Sequence, residues 1–233
     1  VISGANSGNS SAISAWTGIE NLDGSGANDS FTFSGASASL SGIIDGLGGN
    51  DLVSGTAHAL GYTLTGANSG TVLVGGTTAA FQNVENLTGS STADTFTVAG
   101  GSLTGTAIGG AGSDTLAGDT SYTVTGANSG SSAAIAAWSG IENLTGGAGD
   151  DSFSLAGGTL SGAINGLAGN DTFSGDTLYT ITGPNAGTSA AVGSWTGIEN
   201  LTGSAGGDTF TYNAAGSLSG TIDGAGGNDT VAG

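Results

Sequence analysis

The chain consists of one sequence pattern written four times, and this repetition constrains its fold more than any other feature. GANSG occurs at 4–8, 66–70 and 126–130 and returns as GPNAG at 183–187, while IENL occurs at 19–22, 141–144 and 198–201 with VENL at 84–87. An aromatic residue precedes each of these second blocks by three positions: Trp16, Phe81, Trp138 and Trp195. Ile198 follows Ile141 by 57 residues, as Ile141 follows Val84. Self-similarity at such a period is typical of stacked repeats, which bury a continuous core that one repeat alone could not bury.

A shorter pattern, Gly-x4-Asp followed after one residue by an apolar side chain, occurs twice in each repeat. Its aspartates are Asp29, Asp51, Asp94, Asp114, Asp151, Asp171, Asp208 and Asp229. The apolar residues two places later are Phe31, Val53, Phe96, Leu116, Phe153, Phe173, Phe210 and Val231, and those seven places earlier are Leu22, Ile44, Leu87, Ala107, Leu144, Ile164, Leu201 and Ile222. The two aspartates of a repeat lie 20–22 residues apart, and 37–43 residues separate one pair from the next. This spacing predicts about three coils in each repeat, two with an Asp turn and one with GANSG.

The predicted fold is all-β, a β-solenoid of the parallel β-helix or β-roll kind, with four repeats of about 57 residues and about three coils each. Stretches such as DSFSL, YTVTG and YTITG are bounded by Gly, Asn and Ser, as strands are bounded by turns. The 49 glycines disfavour helix. We expect a single array over 1–233, with repeats at approximately 1–61, 62–121, 122–178 and 179–233. Twelve coils at the ordinary strand spacing would extend about 58 Å.

The charge of the chain restricts its partners. The formal net charge is -18, and no Lys or Arg is present. Phosphate contacts need basic side chains, so we expect no nucleic-acid binding. The longest apolar run, 133–138, is far shorter than a membrane span, so we expect no membrane insertion. The absence of Cys excludes disulfide bridges.

Two stretches, GGAGSDTLA (109–117) and GGAGDDSFS (146–154), match the GGxGxDxUx nonapeptide at every position. In this respect the chain resembles repeats-in-toxin (RTX) proteins, and as a whole it looks like the Gly/Thr/Asn-rich β-strand repeats of giant bacterial secreted and surface proteins. The resemblance implies Ca²⁺ bound at the turns and an extracellular or cell-surface location. RTX nonapeptides run in tandem, whereas here one occurs per coil and every third coil has none. We therefore expect isolated calcium sites between paired turns rather than continuous columns.

The candidate metal ligands are the turn carboxylates. They are Asp29, Asp51, Asp94, Asp114, Asp150, Asp151, Asp171, Asp208 and Asp229, and the expected pairs are Asp29 with Asp51, Asp94 with Asp114, Asp151 with Asp171, and Asp208 with Asp229. Carboxylates about 5 Å apart repel by roughly 1–3 kcal/mol, and no basic side chain offsets this. Calcium accepts six to eight oxygens in flexible geometry. The alternative is that Asp favours tight turns because its side chain caps nearby backbone.

Other recurring residues point to structure rather than chemistry. The glutamate of IENL or VENL (Glu20, Glu85, Glu142 and Glu199) is interpreted as a solvated face or a hydrogen bond between coils. The aromatic position before it is interpreted as core or corner packing, with a sugar-stacking strip as the alternative. His58 is a lone histidine, and no Ser-His-Asp constellation is localised, so we predict that the chain is not an enzyme.

The sequence favours a structural segment of an extracellular repeat protein: a stiff acidic rod or fibre, such as an adhesin stalk, sheath or filament, stabilised by calcium. Expected partners are neighbouring repeats of a longer chain or copies of itself stacked end to end, because open strand edges favour pairing. The alternative is a calcium-responsive export and folding module of a secreted enzyme or toxin.

Overall fold

The computed structural model describes residues 1–233 and is all-β, with 28 strands and no helix. The chain forms two compact units. The first contains residues 1–116 and 134–140, and the second contains residues 117–133 and 141–233. The prediction of an all-β protein is confirmed.

The strands follow the sequence repeats, with seven in each. The first repeat contains β1 (Ile2–Gly4), β2 (Ser7–Gly8), β3 (Trp16–Thr17), β4 (Leu22–Ser25), β5 (Ser30–Phe33), β6 (Ile43–Leu47) and β7 (Leu52–Gly55). The second contains β8 (Leu60–Gly66), β9 (Ser69–Val74), β10 (Thr77–Gln82), β11 (Asn86–Thr88), β12 (Thr95–Val98), β13 (Leu103–Ile108) and β14 (Thr115–Ala117). The third contains β15 (Ser121–Gly126), β16 (Ser129–Ser132), β17 (Ile135–Ser139), β18 (Asn143–Thr145), β19 (Ser152–Leu155), β20 (Leu160–Asn165) and β21 (Thr172–Ser174). The fourth contains β22 (Leu178–Gly183), β23 (Ala186–Ser189), β24 (Val192–Thr196), β25 (Asn200–Thr202), β26 (Thr209–Tyr212), β27 (Ile222–Asp223) and β28 (Thr230–Ala232).

Each compact unit is built from two sheets. In the first unit the strand orders are β17-β13-β11-β7-β5-β1-β2-β3 and β14-β12-β8-β9-β10-β6-β4. In the second unit they are β27-β25-β21-β19-β15-β16 and β28-β26-β22-β23-β24-β20-β18. Most neighbouring strands are parallel, as in the pairings β5·β7, β7·β11, β19·β21 and β21·β25.

Each Asp turn carries the chain from one sheet of its unit to the other. Strand β6, before the turn at Asp51, and strand β7, after it, belong to different sheets. The apolar residues on either side, Ile44 and Val53, are both completely buried. The same holds for Ile164 and Phe173 around a later turn. Apart from Leu22, Ile222 and Val231, the predicted apolar positions are therefore buried core positions of the strands, since successive side chains of a strand alternate between its faces.

The third part of each repeat differs from the predicted coil. It is a three-stranded antiparallel meander, β8-β9-β10 in the second repeat, which stays within one sheet. The physical reason lies in GANSG, where Asn68 has φ 48° and Gly66 pairs directly with Ser69. An asparagine in the left-handed region lets the chain reverse in a tight hairpin. Each repeat thus has two Asp-turn coils and one meander instead of three equivalent coils.

The Asp-turn and asparagine–glutamate sites

The first glycine of each Gly-x4-Asp pattern leaves room for the carboxylate of its own turn. A Cβ added at Gly46 would lie 2.5 Å from Asp51 Oδ2, and one added at Gly89 would lie 2.5 Å from Asp94 Oδ2. Both aspartates are only 1% exposed. The same Cβ atoms would lie 2.0 Å from the carbonyl oxygen of Asn83 and 2.1 Å from that of Gly109. The position must therefore lack Cβ because a folded-back carboxylate and a neighbouring backbone carbonyl both occupy this space.

The carboxylates join successive coils through the backbone. Oδ1 of the second aspartate in each repeat accepts the N–H of the first aspartate. These hydrogen bonds are Asp29 to Asp51 at 2.7 Å, Asp94 to Asp114 at 2.7 Å, Asp151 to Asp171 at 2.7 Å and Asp208 to Asp229 at 2.9 Å. All four predicted pairs are thus brought together, as carboxylate-to-amide contacts. Hydrogen bonds with an ionised acceptor are among the stronger ones in proteins.

The first aspartate of each repeat also closes its own turn. Its Oδ2 accepts the N–H of the residue four positions earlier. The donors are Ser25 at 2.6 Å, Ser90 at 2.6 Å, Gly147 at 2.7 Å and Ser204 at 2.9 Å. This is the backbone capping that turn-forming aspartates favour. Asp150 lies outside the pattern, and its Oδ1 accepts the N–H of Asn170 at 2.8 Å.

The glutamate of IENL or VENL links the meander to the Asp turns. Glu85 Oε2 accepts the N–H of Asp51 at 2.9 Å, and Glu85 Oε1 accepts Nδ2 of Asn68 at 3.0 Å. Glu199 makes the matching contacts, with the N–H of Asp171 at 2.8 Å and with Nδ2 of Asn185 at 2.7 Å. The interpretation of this glutamate as a hydrogen-bonding residue between coils is confirmed at these positions.

The asparagine of GANSG, which bonds this glutamate, also forms hydrogen bonds with a third segment of the chain. Asn68 Oδ1 accepts the N–H of Thr104 at 2.9 Å, and Asn68 Nδ2 contacts Thr104 Oγ1 at 2.9 Å. Asn185 binds the N–H and the hydroxyl of Ser219 in the same way, each at 2.9 Å. Sequence reasoning missed the role of this asparagine. Its signal was its recurrence ahead of the glutamate, 14 residues earlier in three repeats, as in Asn128 with Glu142 and Asn185 with Glu199, and 17 residues earlier in the second repeat.

A second missed site surrounds the buried tyrosines of the meanders. Tyr179 stacks on Phe210 with ring centroids 5.0 Å apart, and its hydroxyl donates to the Thr202 carbonyl at 2.8 Å. The same hydroxyl accepts the N–H of Asp176 at 2.9 Å, and Asp176 Oδ2 accepts the N–H of Ala191 at 2.8 Å. Burial, as the largest cause, raises the pKa of the Tyr179 phenol far above its ordinary value of 10.0. The signal for this site was the recurrence of GDT before each YT stretch at 118–123 and 175–180.

The aromatic residue before IENL or VENL packs in the core. Phe81, Trp138 and Trp195 are at most 2% exposed, and Trp16 is half-buried. The interpretation as core packing is confirmed for the three buried rings.

The lone histidine lies in a different part of the chain. The Nε2 atom of His58 forms a hydrogen bond with the carbonyl of Gly35 at 2.8 Å.

The turn carboxylates lie in an environment without basic side chains. Burial raises the pKa of Asp151, against the lowering effect of the Gly147 N–H, and the charges of Asp119 and Asp150 raise it further. Burial likewise raises the pKa of Asp171, against the hydrogen bond from the Asp151 N–H. Asp51 Oδ2 and Asp171 Oδ2 are buried and accept no hydrogen bond.

The calcium prediction can be compared with this donor set. No group of three or more His, Cys, Asp or Glu side chains is arranged so that it could hold a metal ion. A calcium site usually draws on six to eight oxygens. At least one oxygen of each of these turn carboxylates accepts a backbone N–H, which fits backbone capping, while Asp51 Oδ2, Asp151 Oδ1 and Asp171 Oδ2 are buried without a hydrogen bond. Calcium binding stays a prediction.

No protein-family model fits the sequence, and no curated protein is significantly similar to it. The structure contains no helix long and apolar enough to cross a membrane.

Proposed function

We propose that this chain is a structural segment of an extracellular repeat protein: a β-solenoid array that serves as a stiff, acidic rod or fibre, such as an adhesin stalk, sheath or filament. The observation that carries the proposal is the recurrence of the same hydrogen bonds at equivalent positions. The contacts of Asn68, Glu85 and Asp51 return at Asn185, Glu199 and Asp171 within a few tenths of an ångström. These repeated residues hold successive coils together, which is the role expected of residues in a structural scaffold.

The acidic composition supports a role in which the chain stays separate from other polyanions. A net charge of -18 with no basic residue disfavours binding to nucleic acid and to anionic membrane surfaces. Four aspartates are exposed and carry part of this charge on the surface: Asp23, Asp150, Asp223 and Asp229. Together with the RTX-like nonapeptides, these features favour a location outside the cell or on its surface. Contacts with neighbouring repeats or with further copies would extend the array.

The proposal includes calcium as an ion that stabilises the array. The aspartates at 29, 51, 94, 114, 150, 151, 171, 208 and 229 are the residues that would supply carboxylate oxygens. Metal analysis after dialysis without chelator tests this directly. Calcium well below one ion per repeat would remove calcium from the proposal and leave the rod unaffected.

Circular dichroism and electron microscopy, each with calcium and with a chelator, test the structural role itself. For a constitutive rod we expect a β-sheet spectrum and elongated particles in both conditions, because the turns are closed by the protein's own backbone N–H groups. A chain that is unfolded in chelator and folds only with calcium would instead favour the export and folding module. Compact, nearly spherical particles in both conditions would contradict the rod.

A further inference from the structure

Two faces of the protein leave strand edges and apolar side chains uncovered. In the first compact unit these are β3 and β4, where Trp16 and Leu22 are half-buried although their counterparts Trp195 and Leu201 are completely buried. In the second compact unit they are β27 and β28, where Val231 is 60% exposed. An open groove of about 440 Å³ lies on the first face, lined in part by Trp16, Leu22 and Phe31.

The junctions between repeats inside each compact unit show how such faces are covered. In the first unit Phe81 of β10 lies beside Ile44 of β6, and Leu87 of β11 lies beside Val53 of β7. In the second unit the corresponding neighbours are Trp195 with Ile164 and Leu201 with Phe173. Both junctions are parallel and have the same register.

Side-chain hydrogen bonds accompany this register in both units. The N–H of Asp51 donates to Glu85, and Asn86 Nδ2 donates to Asn50 Oδ1 at 2.6 Å and to the Asp51 carbonyl at 3.1 Å. The corresponding contacts in the second unit join Asp171 to Glu199, and Asn200 Nδ2 to Asn170 Oδ1 at 2.9 Å and the Asp171 carbonyl at 3.2 Å.

The two uncovered faces carry the matching halves of this junction. Asn228 and Asp229 stand where Asn50 and Asp51 stand in the first repeat, and Glu20 and Asn21 stand where Glu85 and Asn86 stand in the second. We propose that a second copy of this chain docks head to tail, with its β3 and β4 extending β27 and β28. In this register Trp16 lies beside Ile222, Leu22 beside Val231 and Asp23 beside Ala232. The interface is heterologous, because each copy contributes a different face.

The proposal rests on the proposed array and adds its register and partner. The docked copy would cover Val231 and the groove beside Trp16, which removes apolar surface from water. Opposing this gain, Glu20 and Asp23 on one face approach Asp223 and Asp229 on the other, and neither face has a Lys or Arg side chain. Salt screens such exposed charges, so association should strengthen as ionic strength rises.

Sedimentation velocity of the whole chain at low and at about 0.5 M salt tests the association. We expect a concentration-dependent oligomer that is favoured at high salt. Val231→Asp should weaken it about tenfold or more, and so should Asn21→Asp, which keeps the Oδ1 acceptor used by the Ile43 N–H but loses the Nδ2 donor. Leu73→Asp, at a side chain that is 46% exposed in β9, is the matched control and should associate like the wild type. A wild type that remains monomeric at high salt and high concentration would overturn the proposal.

Cysteine pairing tests the register, because the chain has no cysteine of its own. Neighbouring parallel strands bring opposed Cα atoms to about 4.8 Å, within the range of a disulfide. Asp23→Cys protein mixed with Ala232→Cys protein should therefore give a crosslinked heterodimer under mild oxidation. Asp23→Cys mixed with Val231→Cys should not, because adjacent residues of a strand face opposite sides. Equal crosslinking in both mixtures would refute the register. If neither mixture crosslinks while single particles stay elongated, head-to-tail docking fails and the proposed rod stands.

Discussion

Asn185 offers the sharpest test of how the meander is held against the coils. Its side chain donates to Glu199 Oε1 at 2.7 Å and to Ser219 Oγ at 2.9 Å, and it accepts the Ser219 N–H at 2.9 Å. Its backbone has φ 49°, in the left-handed region. Replacement by alanine removes all three contacts and leaves a Cβ residue in a conformation that favours Asn and Gly.

The magnitude follows from these contacts. The hydrogen bond to the ionised Glu199 contributes about 1.5–3 kcal/mol, and the two exposed bonds to Ser219 contribute at the low end of roughly 0.5–1.5 kcal/mol each because water replaces them. The left-handed conformation costs about 1 kcal/mol for a residue with Cβ. We therefore expect Asn185→Ala to lower the free energy of unfolding by about 4 kcal/mol. Asn185→Gly, which has no left-handed penalty, should lower it by about 3 kcal/mol.

Denaturant unfolding of both variants measures the two parts separately. A loss of about 4 kcal/mol corresponds to a fall in Tm of roughly 8–16 °C for a domain of this size. Amide exchange provides a local readout, since the Ser219 N–H should lose protection in both variants. Asn185→Asp keeps the acceptor oxygen but sets a second carboxylate against Glu199, so its loss should shrink as salt is added.

Two outcomes would refute this reasoning. If the alanine and glycine variants both remain within about 0.5 kcal/mol of the wild type, the side-chain contacts contribute nothing. If they are destabilised equally, the left-handed backbone carries no cost at this position.

Three further perturbations probe the turns and the core. Gly46→Ala would place Cβ 2.0 Å from the Asn83 carbonyl oxygen and 2.5 Å from Asp51 Oδ2, and it should cost about 1–3 kcal/mol by overpacking, measured by thermal unfolding. Gly48→Ala, with its nearest neighbour at 3.8 Å, is the control and should be nearly neutral. Equal losses in the two variants would exclude overpacking as the cause. Tyr179→Phe keeps the ring but leaves the Asp176 N–H without its acceptor, and we expect a loss of about 1–3 kcal/mol; an unchanged Tm would show that water replaces the hydroxyl. Since burial raises the folded-state pKa of Asp171 above 3.8, the folded state binds the proton more tightly than the unfolded state. The contribution of Asp171 protonation to the free energy of unfolding is therefore gained as pH falls through the raised pKa towards 3.8, and it is lost as pH rises through that pKa. Asp171→Asn should reduce the dependence of the free energy of unfolding on pH, measured by urea titrations between about pH 4 and 7. An unchanged pH dependence would show that Asp171 is not its source.

Much of the local structure could be predicted from the repeats. The apolar positions around each Asp turn identify core side chains such as Ile164 and Phe173, because side chains alternate along a strand and only one face is buried. The pairing of Asp151 with Asp171 also follows from their spacing, since residues one coil apart meet at the same corner.

The chemistry of the turns was less accessible to sequence reasoning. An aspartate in a glycine-rich turn can ligate a cation or cap the backbone, and both use the same oxygens. Only the placement of the chain shows that Asp171 Oδ1 accepts an amide of the neighbouring coil. The carboxylate of Glu199 and the amide of Asn185 likewise meet because the meander packs against the coil stack.

The sequence by itself determined that the protein is an all-β repeat, where its turns lie and which side chains form the core, because these depend on local spacing and on the alternation of strands. The tertiary structure alone decided that every third segment reverses direction. A left-handed asparagine can turn a corner or close a hairpin, and the choice depends on the partners that satisfy it, here Glu199 and Ser219 for Asn185. Those partners lie 14 and 34 residues away along the chain, beyond the reach of local sequence signals.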